Sequence, residues 1–108
     1  ERLKVKMKTA CIRHTALPGT PIQKVAICGG AGSFLLPIAK AKGADVFVSA
    51  DFKYHEFFDA EGQILIADIG HYESEQFTKD LLKEVLEKKF TSFAVYFSKS
   101  VTNPISYL

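Results

Sequence analysis

Residues 24–50 read KVAICGGAGSFLLPIAKAKGADVFVSA. Lys24–Cys28 is a short, unbroken apolar run, typical of a strand covered on both faces, and it stops at the glycine-rich Gly29–Gly32. Ser33–Lys42 then suits a helix, with Ser33 as its N-cap, Pro37 tolerated in about the first turn, and Gly43 as its stop. Ala44–Ala50 is a second buried strand. Strand, helix and strand at this spacing make a right-handed β-α-β crossover, which lays the two strands parallel in one sheet.

The alternation continues outward. KYHEFFDAEG (53–62) reads as a short helix ended by Gly62, and QILIADIG (63–70) as a third buried strand. From Tyr72 to Lys89 a helix places Phe77, Leu81, Leu82, Val85 and Leu86 on one apolar face. TSFAVYFS (91–98) reads as a closing strand, and VTNPISYL (101–108) as a turn-rich tail anchored by Ile105, Tyr107 and Leu108. Upstream, Met7–His14 reads as a strand that leads into the proline-rich turn Leu17–Pro21. The expected fold is α/β, a largely parallel sheet with helices on both faces.

One domain accounts for 108 residues, and a chain 47% hydrophobic and 24% charged is not disordered. Fourteen Lys and Arg against twelve Asp and Glu leave a net +2, with the basic residues scattered. That pattern names neither nucleic acid nor membrane as a partner, and the longest apolar runs fall well short of the roughly 20 residues of a membrane span. Cys11 and Cys28 sit among apolar neighbours without a CxxC spacing, and read as buried thiols of a reducing cytoplasm. No serine lies in a GxSxG setting and neither cysteine stands beside a histidine in a polar loop, so nucleophilic catalysis has no candidate. Phe90, Phe93, Tyr96 and Phe97 read as strand packing rather than a base-stacking platform.

Function collects at the carboxyl ends of parallel strands, and GGAG, SADFKYH and DIGHYESE each follow a strand directly. The GGAGSF turn can bring backbone amides to a phosphate, but the third Rossmann glycine falls on Leu35 and no GK[ST] follows; a tight turn is the plain alternative. In SADFKYHE, Asp51, Lys53, His55 and Glu56 offer proton transfer or a ligand contact, and His55 is the candidate catalytic group. A solvated or capping histidine is the alternative there. His71 and Glu75 stand four apart at a helix start, so imidazole and carboxylate share a face and can grip one cation, while Glu73 points elsewhere. The helix N-terminus should disfavour the imidazolium and leave the neutral ring that a metal needs. The alternative is that Asp68, Glu73 and Glu75 only complement the helix dipole. Two ligands do not complete a site, since catalytic zinc usually has at least three from protein.

Taken together, residues 24–62, ILIADIGHYESE (64–75) and SVTNPISYL (100–108) resemble the C-terminal part of the Nif-three-like dinuclear-metal proteins, also called GTP cyclohydrolase I type 2 homologues. The resemblance runs from about residue 22 to the end, with residues 1–21 as a junction leading into it. It implies that His71 and Glu75 are the two C-terminal ligands of a paired divalent-metal centre of zinc, manganese or iron. It places His55 near that centre to orient or protonate substrate, and makes Gly29, Gly30 and Gly32 the glycine loop. SAD stands where TGD is more usual, and GGAG where GGSG is common. The family's paired histidines and aspartate from an N-terminal half have no counterpart here, so the chain reads as a C-terminal piece, inactive alone, of a longer homo-oligomeric protein. The implied activity is metal-dependent hydrolysis of GTP or another phosphate compound; the alternative is a non-catalytic metal-binding regulatory or interaction module.

Overall fold

The structure, a computed structural model, describes residues 1–108. Its centre is β3, Val46–Ala50, whose five residues are all buried, as expected of the run VFVSA in the middle of a sheet. β3 pairs in parallel with β2 (Val25–Ala31) on one side and β4 (Leu65–Asp68) on the other, with Val46 opposite both Val25 and Leu65. A two-residue β1, Arg13–His14, runs antiparallel along the outer edge of β4, giving the order β1-β4-β3-β2.

Both faces of the sheet are covered. On one, Leu36 and Ala39 of α2 (Leu36–Ala41) pack with Phe47, Phe52, Ala60, Ile64 and Ile66; the Phe47 and Phe52 rings meet edge to face at 6.0 Å. On the other, Val46, Val48, Ala67 and Ile69 pack under Leu3 and Met7 of α1 (Arg2–Met7). Each fully buried Ile or Phe contributes about 1.5–3 kcal/mol, so these two clusters hold the fold. The mixed α/β, mostly parallel architecture agrees with the sequence reading.

Several boundaries differ. The expected strand over Met7–His14 is instead the end of α1, an irregular link and β1, because Leu3 and Met7 recur at helical spacing and only Arg13 and His14 reach the edge of β4. Ser33 opens a 3-10 turn, Ser33–Leu35, rather than capping with its side chain; its hydroxyl donates to Glu56 Oε1 at 3.0 Å. Residues Tyr54–Ala60 form a 3-10 segment. The helix expected from Tyr72 to Lys89 is two, α3 (His71–Glu75) and α4 (Thr78–Lys89). Gln76 Nε2 donates to the Glu73 carbonyl, which an unbroken helix would offer to the Phe77 N–H, and also to the Met7 carbonyl at 2.9 Å.

The closing strand over Thr91–Ser98 does not form. That segment lies along α4 instead, with the Lys79 and Lys83 ammonium groups over the Phe97 ring at 5.9 and 5.0 Å. The α4 face of Leu81, Leu82, Val85 and Leu86 stays exposed. The radius of gyration, 16.4 Å, exceeds the roughly 13 Å of a compact domain this long, which marks α4 and the chain beyond it as an outrigger on the sheet. Neither cysteine is buried: Cys28 is half-covered against the first cluster and Cys11 is exposed, and both are free. No helix is long and apolar enough to cross a membrane.

Candidate metal centre

Because β3 and β4 are parallel neighbours, their carboxyl ends deliver Asp51 and His71 to one place. His71 Nδ1 lies 2.5 Å from Asp51 Oδ2. On the other side of the ring, Nε2 faces Glu75 Oε2 at 3.3 Å, one helical turn on. Glu73 is buried on the opposite side of α3, beside Gly70 and Tyr107, so Glu75 and not Glu73 partners the histidine.

Two glycines make this approach possible. Gly70, at φ 91°, carries the chain from β4 into α3, and a Cβ there would lie 2.2 Å from Glu73 Oε2. Gly30, at φ 65°, lies directly against the pair: a Cβ would sit 2.7 Å from Glu75 Oε1 and 3.3 Å from His71 Nε2. The loop is tied to the helix, since the Gly30 N–H donates to Ser74 Oγ at 2.7 Å, and to β3, since Ser49 Oγ donates to the Gly30 carbonyl at 3.1 Å.

Beneath the site, Asp68 is buried and fully engaged. Its Oδ2 accepts from the Phe52 N–H at 3.0 Å and pairs with Arg13, whose guanidinium also donates to the Phe52 carbonyl at 2.9 Å; its Oδ1 accepts from the Gly70 N–H at 3.1 Å. One carboxylate therefore secures both turns that carry Asp51 and His71.

The electrostatics correct one expectation. The His71 pKa is raised rather than lowered: the hydrogen bond to Asp51 dominates, burial opposes it, and the charges of Asp51 and Glu75 add to the rise. Two facing carboxylates outweigh the partial charge of a five-residue helix. The ring lies between the two carboxylates, with Nδ1 toward Asp51 and Nε2 toward Glu75.

His71, Asp51 and Gly70 line a cavity of about 260 Å³ together with Arg13, Ile105 and Tyr107. Two of the expected tail anchors, Ile105 and Tyr107, thus return to the site, whereas Leu108 is fully exposed. Loss of water around its hydroxyl, with the charge of Glu73 nearby, raises the Tyr107 pKa. His55 stands apart: it is exposed, edge-on to Tyr54 at 5.3 Å, and does not line that cavity. A larger cavity of about 680 Å³ lies between the 15–20 loop and residues 57–65, and none of His55, His71 and Glu75 borders it. The smaller one is bordered by His71 and Asp51 but not by Glu75.

The donor set suits a divalent cation. An imidazole nitrogen and a carboxylate oxygen 3.3 Å apart can share an ion about 2.0–2.2 Å from each. The set is incomplete, because nowhere do three such side chains gather so as to hold a metal; Asp51 lies on the wrong side of the ring to join the pair.

The model of the DUF34/NIF3 family, NGG1p interacting factor 3, matches residues 1–104. The chain belongs to the DUF34/NIF3 family. The family match begins at residue 1, so residues 1–21 share in it. A relative in Staphylococcus epidermidis named GTP cyclohydrolase 1 type 2 homolog is 41% identical over 112 residues, covering 99% of this chain and 30% of the relative. The crystal structure of the Staphylococcus aureus protein SA1388 superimposes with a TM-score of 0.81 at 30% identity, covering 98% of this chain and 36% of that one. A Bacillus cereus protein related to NIF3 gives a TM-score of 0.77 at 29% identity over 98% of this chain and 30% of that one. The chain therefore spans about a third of the length of these DUF34/NIF3 proteins.

Residue spacing pointed to His71 and Glu75, but not to Arg13, Asp68 and Ser74 as the groups that hold the site in place. Asp51 stood out only as one of four polar residues after β3. Its place immediately after a buried strand was the one available signal.

Proposed function

We propose that His71 and Glu75 are two ligands of a dinuclear divalent-metal centre, of zinc, manganese or iron, in a longer cytoplasmic hydrolase-like protein acting on GTP or another phosphate-bearing compound. The observation that carries this reading is the facing of His71 Nε2 and Glu75 Oε2 at 3.3 Å, with the other ring nitrogen already committed to Asp51. Bound divalent ions lower the pKa of a coordinated water and polarise a phosphoryl or carbonyl oxygen. This chain's own residues hold and aim two donors, and the Gly29–Gly32 loop leaves room beside them. The remaining ligands come from the rest of the parent protein. GTP enters through the name of the relatives, and His55, which stands outside the cavity, is assigned to orienting or protonating substrate. The exposed Leu81, Leu82, Val85 and Leu86 face is open to the rest of the parent or to a second copy in a homo-oligomer.

Calorimetry with Zn²⁺ or Mn²⁺, alongside turnover of GTP and a panel of phosphate esters by the full-length protein, tests the reading. His71→Ala should lose metal and turnover by more than the roughly 10- to 100-fold typical of residues outside the ligand shell. His55→Ala should slow turnover with metal binding intact. Unchanged turnover in His71→Ala would overturn the hydrolase role. Metal binding that depends on His71 without turnover of any compound would favour a regulatory module.

A further inference from the structure

Asp51 has an unusual backbone. Its φ of 58° lies in the left-handed region that residues other than glycine rarely occupy, and it is one of three such residues in the chain. The conformation is held from the next residue on: Phe52 gives its N–H to Asp68 and its carbonyl to Arg13, and the Lys53 N–H donates to Glu56 Oε2 at 2.7 Å. The result presents the Asp51 carboxylate to His71 Nδ1 at 2.5 Å. Both side chains are about half exposed, and an exposed ion pair adds little to stability, so fold stabilisation is a poor account of a strained backbone at this point.

The chemistry of the contact gives a better one. A carboxylate only accepts, so the proton of the Asp51–His71 bond sits on Nδ1; the neutral ring then keeps its lone pair on Nε2, the nitrogen facing Glu75. An imidazole without such a partner distributes between both tautomers and rotates. We propose that Asp51 is a positioning residue that fixes His71 as the Nδ1–H tautomer and aims Nε2 toward the cation site, a role that rests on the metal-centre reading above. The strained turn after β3 thus serves the donor geometry on the turn after β4, and Asp68 couples the two.

The test uses the full-length protein with ¹⁵N-labelled histidine, metal-free and at a pH where His71 is neutral. Asp51→Gly removes the carboxylate while accepting the positive φ, so the fold, checked by circular dichroism, is preserved. In the parent, Nε2 should show the nitrogen shift of an unprotonated ring nitrogen. In Asp51→Gly the ring should move toward the Nε2–H form, and Zn²⁺ affinity should fall about 10- to 100-fold. Asp51→Asn, which can still accept through its amide oxygen, should restore part of both. An unchanged tautomer in Asp51→Gly overturns the proposal. So does affinity within about twofold of the parent while His71→Ala abolishes binding. Zn²⁺ affinity unchanged in His71→Ala would instead refute the metal-centre reading, and the tautomer measurement would still decide whether Asp51 governs the ring.

Discussion

The segments Val25–Ile69 and Thr78–Phe97 are both rich in apolar residues at regular spacing, yet they end in opposite states. In the first, Phe47, Phe52, Ile66 and Ile69 are at most 2% exposed. In the second, Leu81, Leu82, Val85, Phe93 and Phe97 are 44% exposed or more. Both carry apolar residues at regular spacing; what differs is whether a partner element covers them within these residues. Strand β3 has neighbours on both edges and layers on both faces, whereas α4 leaves the sheet at the Gln76 joint and meets the segment C-terminal to it. Periodicity identifies a face that needs cover without identifying what covers it.

The contrast is most open to attack at Ile66. Ile66→Ala should lower the unfolding free energy by about 2–5 kcal/mol in urea titrations, and a loss below about 1 would show that the sheet is not the source of stability. Next comes Gly30→Ala, which forces a Cβ to within 2.7 Å of Glu75 Oε1 at φ 65°. A stability cost of about 1–2 kcal/mol is expected from the backbone alone, with a larger proportional loss of Zn²⁺ affinity by calorimetry. Leu82→Ala in the exposed face should change stability by no more than about 0.5 kcal/mol. A loss several times larger, growing with protein concentration, would mean that a second copy covers the face in solution.

The smallest effect concerns Glu56. Its pKa is depressed below 4.5 chiefly by the Lys53 N–H, with help from the Ser33 hydroxyl. A depressed carboxylate contributes stability that is complete above the unfolded value and is lost as the pH falls through the folded one. A pH titration by NMR should therefore show the Lys53 amide resonance moving only below pH 4.5. Movement centred above that value would remove the tether between the 3-10 segment and the glycine turn.

The β-α-β unit and the His71–Glu75 pair were legible because each depends on local order: unbroken apolar runs, and residues four apart on one helix. The rest depended on distant partners. Asp68 looks in sequence like a helix-dipole carboxylate, but its partners Arg13 and Phe52 are 55 and 16 residues away. A two-residue β1 offers no pattern at all, and the break at Gln76 comes from a side-chain bond to the Met7 carbonyl, 69 residues upstream. The Thr91–Ser98 segment has strand-forming composition, but composition does not supply an edge to join.

Strand β1 has one more consequence. With Thr15 bonded to the Ile66 N–H and carbonyl, and Thr9 Oγ1 to the Ile69 carbonyl, the outer border of β4 is occupied, and β2 alone forms an unclaimed border of the sheet. Any strand that the longer parent adds to this sheet must therefore join at β2. Detaching Arg13–His14 would bare the outer side of β4 as a second such border.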